Sequence, residues 1–155
     1  LRDWQTELGL APHGEGGYFR RIYTAPAETT TAHGARPAAT SIYYLLDVAQ
    51  PSGLLHRNRS DILHFLIDGG PVEYVTVDPD GTLTRAPLGP DDERFLLVPG
   101  GHWKASRLVG DARQALVAEV VTPGFDYADH EFATRQLLTE HPELADELRE
   151  FVRSS

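Results

Sequence analysis

The sequence contains no cysteine. That excludes disulfides and thiolate metal sites, and leaves imidazole, carboxylate and water as the ligands open to a metal ion. Methionine is missing too, even at position 1, so the chain is read as lacking its natural first residues. No apolar run approaches the roughly 20 residues of a membrane span. The amino end also lacks a basic segment followed by an apolar stretch and a small-residue cleavage site. A cytoplasmic protein without a membrane partner is therefore expected. Concentrated positive charge is absent as well: the net charge is -9, and the fourteen Lys and Arg residues are dispersed apart from short pairs such as Arg20-Arg21 and Arg57/Arg59. Such a chain repels phosphate backbones, which argues against nucleic-acid partners.

What remains is ordinary globular material, 41% hydrophobic and 24% charged over 155 residues. A chain of this length suits one domain that buries roughly 70% of its unfolded surface. The segment from Leu1 to Leu8 reads as a short helix ended by Gly9, and Pro12 with the glycines at 14, 16 and 17 forces an irregular turn. Short runs rich in aromatic and β-branched residues follow, and they predict strands. They are Tyr18 to Tyr23, Thr40 to Leu46, Leu54 to Asn58, Ile62 to Ile67, Val72 to Val77, Thr82 to Ala86, Phe95 to Val98, Trp103 to Leu108 and Gln114 to Val121. Turn chemistry such as Asp78-Pro79-Asp80-Gly81 and Pro99-Gly100-Gly101 separates most of them. Short strands at roughly ten-residue intervals with no long helix between them indicate an antiparallel all-β sandwich or barrel. Helical spacing is confined to the end, from Asp129 to Leu138 and from Pro142 to Val152. Ala27 to Ala39, rich in Thr, Ala, Gly and Pro, reads as a long flexible loop.

Two stretches carry candidate chemistry. In GLLHRNRSDILHFLIDGG (Gly53 to Gly70), side chains two apart share a face, so an inward His56 brings Asn58 with it, and an inward Ile62 brings His64. In VPGGHWKASRL (Val98 to Leu108), the Gly-Gly turn is followed by His102, Lys104 and Ser106 on one face. Tyr44 and Tyr74 fall on central strands, where they are core members or phenol donors. His13, His33 and His141 read as loop or cap residues. Glu15 reads as a structural carboxylate of the Gly-rich turn, and Pro123 to Asp126 as a closing turn without chemistry.

These stretches resemble the two motifs of the cupin superfamily, in which two histidines and a glutamate from the first and a histidine from the second hold one metal. By that resemblance His56 takes the first histidine position, Asn58 the second, Ile62 the glutamate and Lys104 the last histidine. The chain is more closely similar to cupin family 5. The matching blocks are HGEGGYFRRIY (His13 to Tyr23), TSIYYLL (Thr40 to Leu46), HRNRSDILHF (His56 to Phe65), VPGGHWKASRL and TPGFDYADHEF (Thr122 to Phe132). It departs from that family at Gly14, where the family has Pro, and at Ile62, where it has Glu. The resemblance implies a double-stranded β-helix, or jelly-roll barrel, with its core at about 17–122 and a helical cap at about 129–153, in a single domain over 1–155. It further implies a frequently dimeric assembly and a pocket similar to that of the sugar-nucleotide epimerases of the superfamily.

A divalent first-row ion takes three or four N or O donors. Lys104 supplies a cation instead, so no metal is expected, while a set of His56, His64 and His102 stays open as the alternative. The leading expectation is a metal-independent isomerase, epimerase or cyclase with His56, His64 and Lys104 catalytic. Asn58, Tyr44, Tyr74, His102 and Ser106 are the expected substrate-binding residues. A non-catalytic metabolite-binding protein and an Fe- or Mn-dependent oxygenase are the alternatives. Strand exchange or edge pairing around residues 27–39 would make a homodimer.

Overall fold

The computed structural model describes residues 1–153. It opens with α1 (Trp4–Leu8) and continues through β1 (Ala11–Pro12), β2 (Tyr18–Thr24), β3 (Glu28–Thr31), β4 (Gly34–Pro37) and β5 (Thr40–Asp47). Next come β6 (Ser52–Asn58), β7 (Asp61–Gly69), β8 (Val72–Val77), β9 (Leu83–Leu88), β10 (Phe95–Val98), β11 (Trp103–Leu108) and β12 (Gln114–Thr122). A short β13 (His130–Phe132) leads into α2 (Arg135–Glu140) and α3 (Ala145–Leu148). All nine strands expected from periodicity are present. They form an antiparallel sheet in the order β1-β2-β5-β12-β7-β10 and another in the order β13-β6-β11-β8-β9, the two layers of a jelly roll.

Alternation along each strand decides what lies between the sheets. Tyr44, Leu46, Leu66 and Val117 of the first sheet pack against Val72, Tyr74 and Leu88 of the second. The residues that alternate with these face outward and are covered by the ends of the chain. Leu55, Val75, Val77 and Ala105 lie under Ala133, Leu148 and Phe151 of the carboxyl-terminal segment. Leu45 and Leu116 lie with Leu10 and Tyr18 against Trp4 and Leu8 of α1. That helix is fixed at both ends: Asp3 caps it by accepting from the Thr6 N–H, and Gly9 leaves it at φ 64°, where a side chain would be strained.

Two expectations about segments are corrected. Residues 27–39 are not a loop, because Glu28–Thr31 pairs in register with Gly34–Pro37 as a two-stranded hairpin. Its strands are polar, so no hydrophobic alternation announces them. Arg36 ties the hairpin to the body of the protein through two hydrogen bonds to Asp129, at 2.7 and 3.0 Å. Residues 129–138 are also not one helix. His130, Glu131 and Phe132 pair with Asn58, Arg57 and His56 of β6, and helix begins only at Arg135. Tertiary pairing outweighs local propensity here.

Candidate functional site

A narrow cavity of about 60 Å³ opens between the sheets at the end where β6, β7 and β12 begin or finish. Phe19 of β2, Ile42 of β5, Ile62 of β7 and Val121 of β12 make its wall apolar, and Phe125 and Tyr127 overhang it. Polar groups converge at one side: Glu15, His56, Asn58, Glu119 and His130. Wider hollows on the outer surface are lined by charges that already pair with each other, such as Arg57 with Glu131 and Arg59 with Asp129.

Glu15 enters the cavity because its turn is held on several sides. The turn closes on itself through His13 N–H to Gly17 O and Gly16 N–H to His13 O, and the Glu15 carbonyl accepts from Leu54 N–H. The buried Tyr44 hydroxyl donates to Gly16 O at 2.7 Å. Gly17, at φ 75°, passes so close to Tyr44 that a Cβ would lie 2.8 Å from the ring and its hydroxyl, so that position admits only glycine. The result is a carboxyl group buried beside His56.

The Glu15–His56 contact requires a proton between the two side chains. His56 Nδ1 lies 2.8 Å from the Leu54 carbonyl, which can only accept, so Nδ1 carries hydrogen. Its Nε2 lies 3.2 Å from Glu15 Oε2. A neutral Nε2 and a carboxylate oxygen would oppose two lone pairs, so one proton occupies that line, on the carboxyl or on the imidazole. Burial decides which. It raises the Glu15 carboxyl to about 7, and it lowers His56 to about 4, with Lys104 adding to the effect. The proton rests on Glu15 below about pH 7. His130 stacks on His56 at 5.1 Å between ring centroids and is itself lowered to about 4 by burial and then by His56.

Behind this wall lies a second group. Lys104, the only lysine in the sequence, is buried and donates to His64 Nε2 at 2.9 Å and to Glu119 Oε1 at 3.2 Å. The other nitrogen of His64, Nδ1, lies 3.1 Å from the Leu96 carbonyl. Both ring nitrogens are therefore engaged. Burial and then Lys104 hold His64 at about 3, as a neutral ring. For Glu119 burial acts upward, but the Lys104 ammonium and then His64 outweigh it and keep the carboxyl well below its usual range.

A jelly roll with a polar cavity at one end is a common arrangement, so comparison decides the family. A model of the family described as "Cupin superfamily (DUF985)" matches residues 2–133. The chain belongs to that cupin family. This cupin is similar to the uncharacterized protein YML079W of Saccharomyces cerevisiae, 37% identical over 96% of this chain and 82% of the yeast protein. It superposes on a hypothetical protein from Leishmania major with a TM-score of 0.91 at 28% identity, over 97% of each chain. Oxalate decarboxylase from Bacillus subtilis shares the fold alone, with a TM-score of 0.61 and 17% identity over 90% of this chain and 36% of that one.

The usual cupin metal position does not fit this cupin's residues. Asn58 spends its Oδ1 on the Ser60 N–H, Ile62 offers no donor atom, and Lys104 places an ammonium there. The alternative set of His56, His64 and His102 does not assemble either. His64 has no free nitrogen, and His102 lies half-buried in the turn before β11, off the cavity wall. Among the described residues, the group with donor atoms in reach of one ion is Glu15, His56 and His130, all within 4.8 Å of one another. Two imidazoles and a carboxylate are a donor set that suits iron or manganese.

Of the residues singled out in the sequence, His56 and Asn58 line the cavity. Lys104 and His64 are joined directly behind it, with Tyr74 packed on His64 at 4.8 Å. Tyr44 and Ser106 are buried beside Gly53, where the tyrosine supports the Gly-rich turn. Glu119 and His130 escaped notice. Glu119 sits in the apolar run ALVAEVV, where inward alternation with Val117 and Val121 was the available signal, and His130 was masked by the expectation of a helix. Glu15 and Phe125 were seen but read as structural, because nothing local shows that their turns fold over a cavity.

Proposed function

We propose that this cupin binds a small molecule between its sheets and moves a proton on it, as an isomerase or epimerase does. The supporting observation is the 3.2 Å approach of Glu15 Oε2 to His56 Nε2, with the other ring nitrogen held against the Leu54 carbonyl. Such a pair supplies both halves of an enolisation beside a carbonyl. Glu15 gives its proton to the carbonyl oxygen while His56 Nε2 takes one from the adjacent carbon. The reverse transfers return the protons to a different carbon or face, and the pair ends as it began. The Leu54 carbonyl facing Nδ1–H supports the imidazolium formed on the way. The Asn58 amide N–H groups are placed to orient the carbonyl oxygen. Lys104 and His64 act through Glu119 in this reading, as positioning residues, and do not touch the substrate.

Deuterium incorporation from D2O into a pool of small carbonyl compounds, read by mass spectrometry, tests the proposal. Exchange that depends on protein and disappears in His56→Ala is the expected result. Exchange unaffected by His56→Ala, or none from any compound that binds, counts against it.

The convergence of Glu15, His56 and His130 favours a second reading, in which these three residues hold an iron or manganese ion. A bound ion would supply an electrophile for a carbonyl or a site for oxygen chemistry. Equilibrium dialysis against Mn(II) should then give one ion per chain and lose it in His130→Ala. Equal uptake by the variant would sink this reading.

The rim of the site yields a further expectation. Arg36 holds Asp129 next to His130, and the Arg36 hydrogen bonds keep the Asp129 carboxyl low against the opposing effect of burial. Arg36→Ala should loosen residues 123–130, seen as faster amide hydrogen exchange there than in β5 or β12. Unchanged protection of that segment would show the pair to be dispensable.

A further inference from the structure

We infer that the occupant of the cavity is a compact ring-bearing molecule that enters with an O–H or N–H donor first and carries no negative charge at that end. The inference rests on the cavity being the working site, and it adds what that site selects. The deciding residue is Glu119. It lines the cavity, and only one of its two carboxylate oxygens is satisfied. Oε1 takes the Lys104 hydrogen bond, whereas Oε2 is buried and has no partner among the described residues. A buried acceptor left without a donor is unfavourable. A ligand that brings a hydroxyl, amine or ring N–H to this oxygen removes that penalty; a ligand that brings a carboxylate or phosphate adds repulsion.

The cations do not alter this balance. Lys104 lies behind Glu119 and is already matched by it. Arg21 is exposed on β2, bonded to Thr24, so it can meet an anionic group at the mouth and not at depth. The rest of the wall calls for an apolar body: Phe19, Ile42, Ile62 and Val121 face Phe125, against which Tyr127 packs edge-on at 4.9 Å. Aromatic walls of this kind take rings in offset or edge contacts. Dianions such as oxalate, and substrates whose phosphates must go in first, are the wrong chemistry for this cavity.

The test is a matched series of one ring with four heads: benzylamine, benzyl alcohol, toluene and benzoate. Binding is followed by ligand-observed NMR at neutral pH, with protein chemical shifts of the cavity aromatics locating it. Benzylamine and benzyl alcohol should bind at least tenfold more tightly than benzoate, with toluene between. Glu119→Gln should reverse the order at the extremes, because Lys104 is then unmatched and favours benzoate. A merely structural role for Glu119 would weaken all four alike. The wild-type ranking needs no variant to be decisive, and Lys104→Met/Glu119→Gln, which removes both charges, should abolish the ranking if the single variant fails to fold. Benzoate binding as well as benzylamine would overturn the inference while leaving the cavity as the site. Failure of all four to shift the cavity aromatics would overturn both this inference and the proposed function.

Discussion

On the proposed proton-transfer reading, replacing Glu15 by Gln should strongly reduce deuterium exchange into a bound carbonyl compound while leaving the fold and the cavity intact. The substitution is nearly isosteric, and the new amide can still donate to His56 Nε2 across the 3.2 Å that the carboxyl spans. The hydrogen bond survives and the transferable proton does not. A positioned acid or base contributes about 10²–10⁴-fold to a rate, so a loss of that size in deuterium incorporation is expected, with ligand affinity changed far less. Burial acts in the same direction on stability: it raises the Glu15 carboxyl to about 7, so the folded chain must give up this proton at alkaline pH, and the neutral amide has none to lose. Glu15→Gln should therefore be at least as stable as the parent above pH 7, as read by thermal unfolding. A variant that unfolds with its activity would show that Glu15 holds the turn and does no chemistry.

The contrast between Glu15 and His56 shows where a sequence stops being informative. His56 was legible because strand alternation assigns it a face, and a family motif adds weight to that face. The same logic recovered the strands, since each needs only a period of two and a turn at either end. Glu15 lies in a turn, where no periodicity exists, and its direction is set by contacts with Leu54 and Tyr44 that come from other strands. His130 depends on β13 pairing with β6, more than seventy positions earlier in the chain, a distance over which local propensity carries no information. His64 and Lys104 illustrate a different gap. Their inward direction followed from alternation, but their mutual hydrogen bond at 2.9 Å depends on how two sheets meet. On the proposed reading, that bond makes His64 and Lys104 a support for Glu119.

Because that support is buried, Lys104→Met should be the most destabilising single substitution in the site. It leaves the Glu119 carboxylate without its counter-charge and His64 Nε2 without its donor. Removing one partner of a buried ion pair costs about 3–5 kcal/mol, and each kcal/mol lowers the melting temperature of a domain this size by roughly 2–4 °C. A fall of roughly 10 °C at neutral pH is expected. The pH dependence separates this cause from a simple packing defect. In the parent, Glu119 is held below its unfolded value near 4.5, so it contributes stability above that pH, and the contribution is lost as pH falls through the folded value. In Lys104→Met the largest influence opposing burial is gone, burial outweighs what His64 still supplies, and the Glu119 pKa moves above its unfolded value. The variant then loses stability as pH rises through that raised value, because the folded state must release a proton it retains more tightly than the unfolded chain does. The gap between parent and variant should be widest near pH 7.5 and narrow toward pH 4.5 in urea unfolding. Adding Glu119→Gln should recover much of the loss at pH 7.5, since two neutral side chains leave no unmatched charge. A gap that is constant with pH, and a double variant no more stable than Lys104→Met, would assign the effect to packing around the lysine stem and remove the ion pair from the account of the site.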